Sequence, residues 1–309
     1  MAFTAKDVQA LREMTGVGMM KCKEALVAAD GDMDKAVEYL REKGLAAAAK
    51  KAGKVAAEGV SFAYVSEAGV GVIVEVNSQT DFVAKNEQFQ AYVKDVASVI
   101  AEQDPADVDA LMALTYPGTD RTVQDIQNDK VLSIGENIKV RRFVRYATGL
   151  NVPYIHMGGK IGVLVNMEVE GEADTAKMVE LGKDIAMQIA AMNPTYLDKA
   201  DVDQATLDKE KEILLIQAKE ENSKLPKPKP DNIVEKMVLG RIGKYYEENC
   251  LMQQAFVKEN KSSVEQHVAA VAKELGVKIT VKAFTRFVTG EGIEVAVDDF
   301  AAEVASMIK

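Results

Sequence analysis

Tryptophan is absent from the 309-residue chain, and cysteine and histidine occur twice each, at Cys22, Cys250, His156 and His267. Two widely separated cysteines form neither a disulfide framework nor a zinc site, and they suit a reducing compartment. Two histidines are too few for a three-histidine or HExxH metal centre. An excess of positive charge is missing too. Lys and Arg number 38 against 48 Asp and Glu, a net charge of −10. That argues against nucleic acid as a partner, because phosphate binding is driven by Lys and Arg. No apolar run reaches the ~18 residues of a membrane span. The opening Met1-Ala2-Phe3-Thr4-Ala5-Lys6-Asp7 has neither the basic nor the apolar region of a secretory signal. A cytoplasmic protein without a membrane partner is expected. No Ser or Cys motif accompanies either histidine. The Gly-Lys pairs at Gly53, Gly159, Gly182 and Gly243 all lack the Ser or Thr of a phosphate loop. No metal, cofactor or catalytic constellation is therefore expected, and the pattern points to a non-enzymatic protein that binds another protein.

Hydrophobic residues make up 48% and charged residues 28%, ordinary values for a globular chain. The length gives a prior of about two domains. The first ~55 residues read as three short helices. Thr4 suits an N-cap for a helix running to about Met14, and Thr15-Gly16-Val17-Gly18 breaks it. Met19 to Ala29 follows, with Met20, Ala25, Leu26 and Ala29 near one face. Gly31 suits a left-handed stop and Asp32 the next cap. A third helix spans Asp34 to Glu42, and Gly44 closes it. Lys50-Lys51-Ala52-Gly53-Lys54 reads as a linker or a frayed helical extension.

From Gly59 the period changes to two. Val60 to Val65 and Gly71 to Val76 read as a β-hairpin around Glu67-Ala68-Gly69. A helical turn at Thr80–Ala84 and a helix at Asn86–Glu102 follow, the latter striped by Val93, Val96, Val99 and Ile100. The chain then repeats itself. Val72-Ile73-Val74-Glu75-Val76 matches Val163-Leu164-Val165-Asn166-Met167. The run Ile138 to Gly149 aligns with Ile279 to Gly290, identical at six positions. A duplicated hairpin–helix–strand unit is expected, with Phe143 and Phe284 in equivalent core positions. Within the second copy lies an insertion. Asp203 to Asn222, with Leu207, Ile213, Leu214 and Ile216, and Ile233 to Tyr246, with Ile233, Met237, Val238 and Ile242, flank a segment holding three of the seven prolines. They read as an antiparallel helical hairpin. Asp298 to Ile308 reads as a final amphipathic helix.

By residue type alone, Phe82 reads as a buried junction residue and Asp81 as a helix N-terminal carboxylate. Of Met19 and Met20 one is expected in the core and one at an interface. His156 reads as a loop histidine and Cys22 as a small buried hydrophobe.

Several stretches together resemble one family. Leu11-Arg12-Glu13-Met14-Thr15-Gly16-Val17-Gly18-Met19-Met20-Lys21-Cys22-Lys23-Glu24-Ala25-Leu26 is similar to the N-terminal signature of bacterial elongation factor Ts, and Thr80-Asp81-Phe82-Val83-Ala84 to its central one. Ile134-Gly135-Glu136-Asn137-Ile138, His156 to Val165, Ile233 to Arg241 and Phe300 to Ala305 match further family stretches, in order, over nearly the whole chain. Gln253-Gln254-Ala255-Phe256 departs, since many members carry Pro before the Phe.

The resemblance implies an α+β fold: a three-helix domain of ubiquitin-associated type (1–55), a core of two duplicated subdomains with antiparallel strands (56–149; 150–202 with 247–290), an inserted helical hairpin of coiled-coil type (203–246) and a C-terminal module (291–309). It also implies guanine-nucleotide exchange on elongation factor Tu. Thr80, Asp81, Phe82 and Val83 would approach the partner's GTP-binding domain, with Phe82 entering a pocket beside the Mg²⁺ site. Met14, Thr15, Gly16, Val17, Gly18, Met19 and Met20 would dock on the same domain. His156, Met157, Gly158 and Ile161 would contact a second domain, and a homodimer is conceivable. Two alternatives stand beside this: an adaptor that binds without affecting nucleotide, and a cofactorless enzyme using a carboxylate pair in the cleft between the repeats.

Overall fold

A computed structural model describes residues 3–294. The helix expected at Asp298–Ile308 lies outside the described residues. Thr4 caps α1 (Ala5–Thr15) through a capping box: its hydroxyl accepts from the Asp7 amide, and the Asp7 carboxylate accepts from the Thr4 amide at 2.6 Å. Gly16, at φ +67°, ends it. The helices α2 (Met19–Ala28) and α3 (Met33–Lys51) complete the trio, with Asp32 capping α3 through the Lys35 amide. Leu11, Cys22, Ala25, Leu26, Ala36 and Leu40 form their small core. Met20 is not part of it, and Met19 is exposed as well. The stripe on α2 is carried by Cys22, so both methionines are turned outward.

Gly44 does not close α3, which runs on to Lys51. The Ala-rich stretch after it favours helix. A Cβ on Gly44 would meet the Asn128 carbonyl at 3.4 Å. That is ordinary van der Waals contact; Gly44 is buried facing α7, whose Leu132 joins the three-helix core.

Next come β1 (Glu58–Val65), β2 (Gly71–Ser78), α4 (Asp81–Ala84), α5 (Glu87–Gln103), α6 (Val108–Ala113), α7 (Val123–Ile134) and β3 (Lys139–Tyr146). The second set is β4 (Leu150–His156), β5 (Ile161–Glu170), α8 (Thr175–Met192), α9 (Gln204–Ser223), α10 (Asp231–Asn249), the short β6 (Ala255–Phe256) and β7 (Glu259–Ser263), α11 (Val264–Leu275) and β8 (Lys278–Val288). The periodicity reading passes over α6, α7 and α11. Capping boxes at Thr122/Asp125 and Ser263/Gln266 mark the starts of α7 and α11.

Two antiparallel sheets, β1-β2-β3 and β4-β5-β8, share one strand order. Each carries a bulge at the same aligned place, after Glu75 in one and after Asn166 in the other. Alternation then assigns the faces. Val72 and Val74 pack toward α5, and Val163 and Val165 toward α8. The equivalent residues Ile73 and Leu164 point the other way and meet, with Ala63 and Phe287, in a cluster between the sheets. Phe143 and Phe284 pack against the edges of the two larger cores, partly buried in both cases.

The two halves also grip each other's strand ends at matching positions. Asn166 donates to the Thr148 carbonyl at 2.6 Å, while Glu75 accepts from the Gly290 amide at 2.8 Å. Glu75 is fully buried and also bonds Arg141 at 3.0 Å, Arg142 at 2.6 Å and Asn77 at 3.0 Å. Burial alone would raise its carboxyl pKa. The Gly290 amide, Asn77 and the two guanidinium groups outweigh that and hold it below the usual glutamate value.

Gly182 shows how tightly α8 lies on its sheet: a Cβ there would come within 2.4 Å of Val152 Cγ2 and 2.9 Å of Met167 Cε. Gly182→Ala therefore lowers unfolding free energy by about 1–3 kcal/mol despite alanine's better helix propensity; urea denaturation checks this, and an unchanged or raised midpoint contradicts it.

The insertion is an antiparallel helix pair. Its inner face holds Ala218, Val234 and Val238, with Leu214 and Leu215 beside them. Ile213 and Ile216, read as part of the stripe, are exposed, as is Ile233. The other expected positions Leu207, Leu214, Val238 and Ile242 are buried or partly buried, and Leu215 on α9 and Val234 on α10 join that inward row. At its root, Val202, Leu207 and Cys250 pack with Tyr196, Tyr245 and Tyr246.

Candidate functional site

Phe82 is 80% exposed, which overturns the buried-junction reading. The physical reason lies in α4, a single turn whose next two residues, Val83 and Ala84, are buried. With those two facing the core, Phe82 is turned outward (~100° per residue). Val83, a predicted contact residue, is thus mainly an anchor. Asp81 pairs with Lys85 at 3.2 Å on the surface, and Thr80 is the residue before the turn, half-buried.

The N-terminal candidates divide in the same manner. Met14, Met19 and Met20 are exposed, at 64%, 41% and 76%, whereas Val17 is buried beneath them. Thr15 turns inward, its hydroxyl donating to the Leu11 carbonyl at 2.7 Å. Gly16 supplies the left-handed turn and Gly18 caps α2. A Cβ on Gly16 would lie 3.6 Å from the Gln88 side chain, which places this loop beside the first turn of α5, just after Phe82.

His156 is not in a loop. It ends β4, paired with Ile161 across to β5, and its Nδ1 lies 3.0 Å from the Tyr154 hydroxyl. Met157 follows at φ +49° and is 72% exposed; Gly158 and Gly159 continue the left-handed turn. A Cβ on Gly159 would strike Val60 of β1. Gly158 and Ile155 line a 170 Å³ groove with Val60, Phe62, Gln90, Val93 and Lys94. Ile161 is half-buried against the second core. All three predicted segments therefore border α5 or β1. Ile155, Gln88 and Glu136 were missed as neighbours of the site; of these only Glu136 stood in a recognisable stretch.

The surface offers apolar contact through Phe82, Met14, Met20 and Met157. Among the described residues no group of three His, Cys, Asp or Glu side chains is placed to hold a metal ion. The carboxylate buried between the repeats, Glu75, is bonded to the Arg141 and Arg142 guanidinium groups, and Arg142 also pairs with the more exposed Glu291 carboxylate at 3.7 Å. Both cysteines are buried, and burial pushes the Cys250 thiol up to about 11 and raises that of Cys22. Iodoacetamide at pH 8 is expected to leave both unmodified in the folded chain and to label both in urea, as read by mass spectrometry. No described helix is long and apolar enough to cross a membrane.

Likeness to known proteins gives the class of the chain: an elongation factor of protein biosynthesis. The family model described as Elongation factor TS matches residues 79–291. The chain is 48% identical over 311 residues to Elongation factor Ts of Syntrophotalea carbinolica, covering 100% of both chains. It is 51% identical over 307 residues to Elongation factor Ts of Clostridium perfringens, covering 98% of each. With that of Trichlorobacter lovleyi it shares 47% over 313 residues, 99% of this chain and 98% of the relative. The chain belongs to the elongation factor Ts family.

Proposed function

We propose that the chain is a guanine-nucleotide exchange factor that binds elongation factor Tu carrying GDP and releases the GDP so that GTP can rebind during translation elongation. Phe82 carries this reading: an aromatic side chain held 80% exposed on a turn that buries its neighbours is suited to enter an apolar pocket on a partner. Family membership supports the partner and the reaction.

Energetics limit what Phe82 does alone. A nucleotide held at nanomolar Kd is bound by about 12 kcal/mol, and burying one Phe yields about 1.5–3 kcal/mol. The ring acts by disturbing something worth more, the Mg²⁺ and phosphate site of the partner, whose octahedral coordination tolerates little displacement. The remainder comes from a broad interface that stabilises the nucleotide-free partner, and by linkage factor and nucleotide weaken each other's binding. Thr80, Asp81 and Val83 frame the ring. Met14 to Met20, in a three-helix domain of ubiquitin-associated type at 1–55, dock on the partner's GTP-binding domain; His156, Met157, Gly158 and Ile161 touch a second domain. The core divides into subdomains at 56–149 and at 150–202 with 247–290, the helix pair at 203–246 is of coiled-coil type, and 291–309 is a C-terminal module. Release of fluorescent GDP from elongation factor Tu, with and without the chain, tests the proposal; an unchanged rate at saturating chain overturns it.

A further inference from the structure

We propose that Glu136 is a positioning residue for exchange: its carboxylate fixes the backbone from which Phe82 projects. The inference rests on the role given to Phe82 above. One carboxylate oxygen, Oε2, accepts from the amides of Gln79 at 3.1 Å and Thr80 at 3.0 Å. The other, Oε1, accepts from the Thr80 hydroxyl at 2.8 Å. The opposite side of Thr80 is held as well, since the buried Ser78 hydroxyl donates to the Thr80 carbonyl at 3.0 Å. The amide of Asn137, next to Glu136, donates back to the Gln79 side chain at 2.9 Å. Thr80 is thus fixed at its amide, its carbonyl and its side chain, two residues before the ring.

The four-residue α4 is too short to hold its own direction, because a single turn closes few hydrogen bonds against its ordering entropy. Val83 and Ala84 anchor its far end, so Glu136 supplies the near one. Its placement also links two parts of the surface. It follows Gly135, the left-handed cap of α7. Along α7, Leu132 packs into the three-helix core, and its carbonyl accepts from Lys21 Nζ at 2.7 Å. Lys21 directly follows Met19 and Met20. One helix therefore sets the distance between the methionine face and the aromatic tip, and Glu136 is its contact with the tip.

The test is a double-mutant cycle on GDP release from elongation factor Tu, using full-length chain at saturation. Glu136→Ala is expected to lower the stimulated rate about tenfold, the scale of a small misplacement of a working group. Binding to nucleotide-free elongation factor Tu should change little, while the thermal midpoint falls by a few degrees as the half-buried hydrogen bonds are lost. In a Phe82→Ala background the same substitution is expected to change the rate less than about twofold, because it acts through the ring. Glu136→Gln keeps one oxygen for the two amides and a group that reaches the Thr80 hydroxyl, and should restore the rate to within about twofold. Should Glu136→Ala fail to fold, Thr80→Val removes the hydroxyl contact alone, with about threefold loss expected. Full stimulation by Glu136→Ala, or by Thr80→Val in its place, overturns the proposal alone, as does an equal loss in both backgrounds. Full stimulation by Phe82→Ala overturns the reading of Phe82 and this inference with it.

Discussion

Replacing Phe82 by alanine is expected to slow the stimulated release of GDP from elongation factor Tu by about 10- to 100-fold, while the chain itself unfolds at the same temperature. The two halves of this expectation have separate sources. The ring is 80% exposed, so the folded chain loses little burial when it is removed, and exposed substitutions change stability by roughly 0.5 kcal/mol or less. In the complex the same ring would be buried, and about 1.5–3 kcal/mol of apolar transfer is lost. If that energy is used to displace the partner's metal site, it is lost from the transition state, and each 1.4 kcal/mol is a factor of ten. Stopped-flow release at saturating chain separates rate from affinity. A drop in melting temperature comparable to a core truncation would return Phe82 to the packing role that its residue type suggested.

The second large effect concerns stability. Glu75→Gln preserves shape but removes the charge that two guanidinium groups and the Gly290 amide address. Deleting one partner of a buried ion pair typically costs 3–5 kcal/mol. The Arg141 and Arg142 side chains are 26% and 34% exposed, and water relieves part of the penalty. About 2–4 kcal/mol is expected by urea denaturation at pH 7. The pH dependence has a definite sign. The folded carboxyl titrates below the usual glutamate value, so its stabilisation is complete above the unfolded value near ~4.3. It is lost as pH falls through the lower folded value. The gap between wild type and Glu75→Gln should therefore narrow on acidification below about pH 4; a gap that stays constant or widens contradicts the assignment.

Much of the backbone was legible because local chemistry decides it. Thr4 and Asp32 cap helices where oxygen side chains precede an apolar stripe, and the repeated Val-rich strands align residue for residue; the bulges after Glu75 and Asn166 were not read. What failed depends on distant partners. Gly44 is a stop by propensity, but the helix carries on through it, buried beside Asn128 and Asp129 of α7. Met19 and Met20 differ from Cys22 by direction alone, and that direction is set by where α1 and α3 lie. The outward turn of Phe82 was invisible in its own residue type. It follows from Val83 and Ala84 being drawn inward, and only likeness to a family pointed to it beforehand.

Ile73 and Leu164 lie against each other between the sheets, with Phe287 and Ala63. Each repeat is thus the lid of the other. Truncation at the sequence midpoint, near Gly149, strips that cover from both fragments and leaves two sticky pieces in place of two working modules. Dissection of this chain is better made at the tip of the helix pair, where Pro226 to Pro230 is exposed and trimming uncovers little oil.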